Sequence, residues 1–542
     1  MADTMLENGT LSALVQDGGL RAVTFAGVEL LRGLTYPVRN PDWGTHLIRT
    51  TAETTTAQGY RHDFTETDGL FTGTFTATLD TPNRLTATVT LTFTRAARVN
   101  RAGFTLLHPI LGTAGEPLRL HHPDGGETLT TFPALISPAQ PARNIAGLSH
   151  SVAGIGVTLT LTGDTFEMED QRNWSDASFK TYCRPLALPF PYPVAAGETL
   201  TQTVILDITP APATGTAPAR PAETTVPLPQ VLLAHEHALS PSAGIGTLPL
   251  PLQYRLTPET PDEDLQAAAR HGVTALEIIF DSLPDLHALI ARARMAGLTP
   301  ARVSALPSPF LKSHQPDGQW PTGAQPADAP PVLRTAFPQA LIGGGSLTNF
   351  TELNRHRPDP ATVDFVTFGN TAIVHAADDT SVWQTLQALP DIFATAHAIA
   401  AGRPLHLGLL SIGMRCNPYG DKTAPNPHRL RLPMAMEDPR QSTGFAAAYA
   451  VAALARAARA RVASLALAMT AGPLGPHGPL ADILRTAHAM AGQPARITDA
   501  AGLIRIETPT AALYANCTPH TAPPPRAGLP PLPGESAQVW QG

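Results

Sequence analysis

The sequence predicts a multidomain chain of the α/β plus β class: an N-terminal antiparallel β-sandwich, a central TIM (β/α)8-like barrel and a small C-terminal β-domain. Three observations predict it. The chain alternates with period two through its first two hundred or so residues. Near Leu250 the texture changes to short apolar strands interleaved with helical stretches. After residue 490 the alternation returns. A length of 542 residues fits about three domains at roughly 100–200 residues each.

The first region carries runs such as Phe71-Thr-Gly-Thr-Phe-Thr-Ala-Thr-Leu79, Arg84-Leu-Thr-Ala-Thr-Val-Thr-Leu-Thr-Phe93, Val157 to Thr162 and Thr199 to Asp207. Alternation sends apolar groups to one sheet face and threonine to the other, and β-branched residues suit that half-buried surface. Gly and Asp-Gly turns separate the runs. This region is expected over residues 1–208. A Pro/Ala/Thr-rich linker is expected over 209–228, because the segment has no periodicity.

The barrel is expected over 229–490. Its strand candidates are Leu252 to Leu256, Ala275 to Phe280, Ala301 to Leu306, Ala340 to Gly344, Asp364 to Phe368, Ala372 to Ala376, Pro404 to Ser411 and Ser464 to Met469. Helical stretches such as Glu263 to His271 and Leu283 to Met295 lie between them, and such alternation is the signature of a closed parallel barrel. The Ala-rich stretch from Gly444 reads as a packed helix. Arg456, Arg459 and Arg461 interrupt it before it reaches the ~20 apolar residues of a membrane span. Ala501 to Glu507 and Thr510 to Asn516 open a C-terminal β-domain over 491–542.

Apolar residues make up 43% of the chain and charged residues 15%, enough apolar content to exclude wholesale disorder. The formal net charge of −7 gives no electrostatic footprint for nucleic acid or an anionic membrane. Three cysteines, Cys183, Cys416 and Cys517, neither build a disulfide framework nor match a zinc spacing. With no basic-then-apolar leader at Met1, the expectation is a cytoplasmic protein without cofactor or metal.

Several motifs carry less than they promise. There is no Gly-x-Ser-x-Gly elbow. His235-Glu-His237 offers two histidines on one strand face, a poor metal site, and is read as structural. His121-His-Pro-Asp-Gly125 reads mainly as a turn. Gly343-Gly-Gly345 lacks the Lys-Ser/Thr of a phosphate loop.

Barrel active sites gather at the C-terminal strand ends. Glu277 within a strand, Glu352 in Asn349-Phe-Thr-Glu-Leu-Asn-Arg355, His375 with Asp378 and Asp379 behind it, and Arg415 with Asn417 are therefore the candidates there. A buried carboxylate such as Glu277 needs a partner, and Arg302 is one expectation. The plain alternative for Glu352 is a surface pair with Arg355 or Arg357. A glycosidase on this barrel needs a second carboxylate after the seventh strand. That place holds Met414, Arg415 and Asn417, with Asp421 further out.

The run Glu169-Asp-Gln-Arg-Asn-Trp-Ser-Asp-Ala-Ser-Phe-Lys-Thr-Tyr182 mixes amides, carboxylates and cations with three aromatic faces. Such a mixture suits a polyhydroxylated ligand, whose C–H faces stack on rings while fixed polar groups read its hydroxyls.

With that run, the chain resembles the D-apionate lactonases of bacterial apiose catabolism. Glu167 to Tyr182, Gly103-Phe-Thr-Leu-Leu-His-Pro-Ile110, His122-Pro-Asp-Gly125, Phe350-Thr-Glu-Leu-Asn-Arg355 and Asn417-Pro-Tyr-Gly420 carry the resemblance over essentially the whole chain. It implies a β-domain, a TIM barrel and a second β-domain, and opening of D-apionolactone to D-apionate. For that reaction the residues suggest Glu352 as base or acid, with Glu277 or His375 as its counterpart. Arg415, Arg355 or Lys180 would hold the oxyanion. Asp170, Asn173, Asp176, Asn354 and Asn417 would read hydroxyls, with Arg172 in the same binding run. A glycosidase-like enzyme using Glu352 with Glu277 or Asp421, and a non-catalytic carbohydrate-binding protein, are the alternatives.

Overall fold

The computed structural model describes residues 4–210 and 223–541. Most of the expected linker, residues 211–222, lies outside them. The chain divides into two compact units. The first runs to Gln171 and resumes at Ala177; the second holds Arg172–Asp176 and everything after the linker.

The first unit is built on two large antiparallel sheets. One has eight strands, from Thr4–Asn8 at one edge to Ala142–Ile145 at the other. The second has nine, from Glu127–Thr131 to Ile48–Thr55. Arg84–Phe93 alternates buried and less buried along its length, with Leu85, Ala87, Val89, Leu91 and Phe93 inward. Register sets Thr88, Thr90 and Thr92 opposite Thr203, Thr201 and Thr199, and each pair is hydrogen-bonded at 3.0–3.2 Å. Period two thus produced the face division that the sequence predicts. Tyr36 stacks on Phe64 and Phe75, and Phe75 meets Phe104 edge-on in the core.

The second unit holds a closed eight-stranded parallel barrel. Its strands are β1 (Gln230–Glu236), β2 (Leu252–Leu256), β3 (Val273–Phe280), β4 (Arg302–Pro307), β5 (Leu341–Asn349), β6 (Phe365–Thr371), β7 (His406–Ser411) and β8 (Ser464–Met469). They are almost wholly buried, as a parallel sheet covered on both faces requires. The helices are α1 (Asp262–His271), α2 (Leu283–Met295), α3 (Ala329–Ala336), α4 (Phe350–Arg355), α5 (Asp379–Ala400), α6 (Gly444–Arg459) and α7 (Pro479–Ala489). The Ala-rich α6 is buried over most of its surface, because small side chains admit close packing.

One barrel expectation is corrected. Ala372 to Ala376 is not a strand; the chain leaves the sheet at Thr371, and the segment is a loop. The missing strand is Gln230–Glu236, which opens the barrel and closes it against β8. Its short apolar run ends in His-Glu-His, and polar residues at its tip hid its period. The strand after which Glu352 follows is consequently the fifth, not the fourth.

Gly343 and Gly344 pack where a Cβ would strike Phe365 and Val363, and Gly345 holds φ at 126° with a Cβ position 2.3 Å from the Thr367 carbonyl. The triple glycine is a packing requirement of β5. The end of the expected linker, Thr224–Pro227, is itself a strand. It joins Pro494–Ala500, Leu503–Glu507, Ala511–Asn516 and Ser536–Gln541 in a five-stranded antiparallel sheet within the second unit.

Candidate active site at the barrel mouth

Four charged side chains meet inside the barrel near the C-terminal strand ends. Glu277 on β3 is 3% exposed. It accepts from Arg255 Nε at 2.9 Å and from Gln253 Nε2 at 2.6 Å, both on β2. Arg415, after β7, reaches Glu277 at 3.4 Å and Glu236 at the end of β1 at 2.9 Å. Arg255 also contacts Glu236 at 3.3 Å and donates to the Leu347 carbonyl at 2.6 Å. Two carboxylates and two guanidinium groups thus compensate one another. Burial works against the charged form of Glu236, but Arg255 and Arg415 hold its carboxyl below the usual range. Arg302, the expected partner of Glu277, instead donates to Gln230 at 3.3 Å at the start of β4, where the strands begin.

Glu352 sits in a different environment. It is the third residue of α4, and its Oε2 accepts from the backbone N–H of Asn349 and from the Thr348 hydroxyl, both at 3.0 Å. This is a capping box at the helix start. It is not an ion pair with Arg355 or Arg357. Its second oxygen, Oε1, is buried with no hydrogen-bond partner. Burial pushes the carboxyl up to about 7, against the opposing pull of Asn349 and Thr348. It lines a pocket with Lys312, His314, Arg355 and His356, walled by Phe310 and Trp320. Ser346 also lines a second pocket, with Arg255, Glu277, Asn349, Asn370, Thr371, Ser411, Arg415 and Cys416.

The segment Arg172–Asp176 belongs to the barrel unit, and its contacts there are specific. The Asn173 carbonyl accepts from Thr351 at 2.6 Å, and its side chain accepts from Asn354 at 3.0 Å. Asn354 is further fixed by Arg357 at 2.8 Å. Ser175 donates to Asn370 at 2.5 Å. Asp176 meets His375 Nδ1 at 2.6 Å. Trp174 lies edge-on to Tyr419 and His375, with the Arg355 guanidinium 4.7 Å over its ring. Arg172, fully buried, pairs with Asp391 of α5 at 2.9 Å.

The remaining predicted residues are placed as follows. Asp170 and Lys180 lie in the first unit, where Asp170 accepts from Ser137 N–H at 3.1 Å and Lys180 pairs with Glu169 at 2.5 Å. Asn417 uses its amide within its own loop, donating to the Lys422 carbonyl and accepting from Tyr419 N–H. Asp421 is exposed. Glu352, Asn173, Asp176, Asn354, Arg355 and His375 are brought together, and Glu277 joins Arg415. Sequence reasoning missed Glu236, Arg255, Asn370 and Lys312. Glu236 and Arg255 carried the signal that singled out Glu277, a charge inside an apolar strand.

Beside this site, Asp264 at the start of α1 is fully buried. It gathers His235 and His237 at 3.2 Å, Tyr254 at 2.8 Å and the Ser242 hydroxyl. Burial raises its carboxyl, but the bonds from His235, Ser242 and Tyr254 outweigh that and hold it well below the carboxylate range. The two histidines bracketing Glu236 thus anchor β1 to α1. Among the described residues, no group of three or more His, Cys, Asp or Glu side chains is arranged to hold a metal.

Residues 1–211 match the family model of the D-apionate lactonase N-terminal domain, and residues 257–499 that of the D-apionate lactonase TIM barrel domain. A D-apionate lactonase of Brucella anthropi is 37% identical over 491 residues, covering 83% of this chain and 79% of that protein. Among solved structures, an alpha-galactosidase of Geobacillus stearothermophilus in complex with raffinose aligns over 95% of this chain and 91% of its own. Its identity is 10% and its TM-score 0.28. A GalM/aldose epimerase homologue from C. elegans covers 39% of this chain and 100% of its own, at 11% identity and a TM-score of 0.27. Those two scores bear on neither fold nor chemistry. The two domain matches and the Brucella relative show that the chain belongs to the D-apionate lactonase family.

Proposed function

We propose that this chain is a carboxylic ester hydrolase that opens D-apionolactone to D-apionate by general acid/base activation of water. Family membership supports the reaction class. The observation that carries the residue assignment is Glu352. It is a carboxyl at the barrel mouth, pushed up to about 7 by burial, with one oxygen unpaired in the pocket it shares with Lys312, His314 and Arg355. A group that titrates near the working pH is suited both to take a proton and to return it.

Glu352 removes a proton from water as the water oxygen attacks the lactone carbonyl carbon. The carbonyl oxygen becomes an oxyanion held by Arg415 and Asn370. Collapse breaks the ring C–O bond, and the proton on Glu352 passes to the departing alkoxide. The acid group formed then loses its own proton to solvent. Glu277 has each oxygen engaged by Gln253, Arg255 or Arg415, so in this reading it positions Arg415 and carries no proton. His375, Asp176, Trp174, Arg355 and Lys312 line the rim and read the sugar. The free thiols Cys183, Cys416 and Cys517 fit a reducing, cytoplasmic setting. Among the described residues no helix is long and apolar enough to cross a membrane.

The test is pH-stat titration of acid release from D-apionolactone beside an ordinary aldonolactone, each against its uncatalysed rate. Saturable turnover of D-apionolactone is expected. No rate above background for either substrate overturns the reading. Release of reducing sugar from a glycoside, with no action on lactones, would replace it by a glycosidase.

A further inference from the structure

Among the described residues, three side-chain donors that line one barrel pocket have no acceptor: Asn349 Nδ2, Asn370 Nδ2 and one nitrogen of Arg415. Asn370, on β6 and 4% exposed, has its Nδ2 buried and unpaired. Arg415, 9% exposed, has one terminal nitrogen, Nη2, in the same condition. Both side chains line the one pocket. Folded proteins leave few buried polar atoms unmatched, and unmatched donors gathered at one cavity call for an acceptor-rich ligand group.

The other groups of the pocket do not supply it. Glu277 is taken up by Gln253, Arg255 and Arg415. Burial pushes the Cys416 thiol up to about 11, so it stays uncharged. Thr371 donates to the Ile412 carbonyl and Ser411 to the Gly413 carbonyl. The direction of Asn370 is also set from outside the pocket. Ser175 donates to its Oδ1, which turns the amide nitrogen the other way. Ser175 does so from φ 78°, a region few non-glycine residues occupy.

We infer that Asn370 and Arg415 form a carboxylate-accepting subsite aimed by Ser175, so that open-chain sugar acids bind this protein as ligands in their own right. A carboxylate offers its two oxygens to Asn370 Nδ2 and Arg415 Nη2, and charge-assisted bonds to a guanidinium are roughly twice as strong as neutral ones. The identity of the sugar acid rests on the lactonase reading; the subsite itself does not. Turnover therefore ends in a product that the oxyanion donors retain, and sugar acids inhibit competitively.

The experiment is calorimetric titration of the full chain with D-apionate and, separately, with neutral erythritol at fixed ionic strength. D-apionate is expected to bind at least tenfold more tightly. Asn370→Asp keeps the bond to Ser175 and replaces the donor by an acceptor; it should weaken D-apionate at least tenfold and leave erythritol unchanged. Ser175→Ala should weaken D-apionate about threefold to tenfold and leave erythritol unchanged, a selective loss that a merely structural role for Ser175 would not produce. If Asn370→Asp does not fold, competition in the unaltered protein decides: acetate must displace D-apionate. Equal binding of D-apionate and erythritol, an unchanged affinity in folded Asn370→Asp, or no competition by acetate overturns the subsite. Lactone turnover without selective D-apionate binding removes the subsite and leaves the lactonase reading. Selective binding without turnover does the reverse.

Discussion

Two buried carboxylates share the barrel mouth and are treated in opposite ways. Glu277 is surrounded by Arg255, Arg415 and Gln253, so its charge is compensated. Glu352, 5% exposed, receives a backbone N–H and a hydroxyl and no cation within ion-pair distance among the described residues, so its carboxyl rises to about 7. Burial alone therefore does not define a catalytic acid; what matters is which partners burial supplies. A compensated carboxylate organises its arginines, and an uncompensated one exchanges protons.

The comparison is broken most severely at Glu277. Glu277→Leu leaves Arg255 and Arg415 with one carboxylate between them, and loss of one partner of a buried pair costs about 3–5 kcal/mol. Urea denaturation should show that loss, and an unchanged midpoint would refute the compensation argument. Glu352→Gln is expected to act with the opposite sign. The folded pKa of Glu352 lies above its unfolded value, so the folded state binds the extra proton, and stability is lost as pH rises from about 4.5 through about 7. Gln keeps the capping box and cannot ionise, so the variant should gain about 1–3 kcal/mol at pH 8 and almost nothing at pH 4. A loss of stability at pH 8 would contradict this.

The first unit sharpens the same contrast with histidines. His108 and His150 are buried, and burial lowers them to about 3 and about 4. Their folded pKa values lie below the unfolded value, so their contribution is complete above pH 6.5 and declines as pH falls toward 4. His150→Leu should lower the pH midpoint of acid unfolding by about half a unit, measured by near-ultraviolet circular dichroism. The smallest effect is expected at His375, which is 36% exposed and bonded to Asp176. His375→Gln should reduce kcat less than about tenfold, whereas loss of a general acid or base costs about 100-fold or more. A hundredfold loss at His375 would move the proton transfer there.

How much of this was legible depends on the local signal. Period two in Arg84–Phe93 fixes which faces are buried, because alternation allows no other arrangement. The barrel was legible as a class, yet one strand was misplaced. Ala372 to Ala376 has the composition of a strand but follows β6 directly, while Gln230–Glu236 ends in two polar residues, His235 and Glu236. Glu352 was legible from its place just after a barrel strand. Its missing cation was not, since Arg355 and Arg357 lie three and five residues away and turn instead toward Trp174 and Asn354. The Glu236–Arg255–Glu277–Arg415 cluster draws on four strand ends separated by up to 179 residues, and no local pattern reports such a pairing. The unpaired donor of Asn370 depends on a hydroxyl 195 residues away.

The central claim, that Glu352 carries the proton in lactone opening, is tested most directly by the pH dependence of kcat/KM for D-apionolactone in the unaltered protein and in Glu352→Gln. The ionised form is the base, so kcat/KM should rise with pH, turn over near 7 and level off above it. Glu352→Gln should remove that inflection and lower the plateau about 100-fold or more in a folded protein. An inflection near 7 that survives in Glu352→Gln, or a plateau within threefold of the original, would contradict the account.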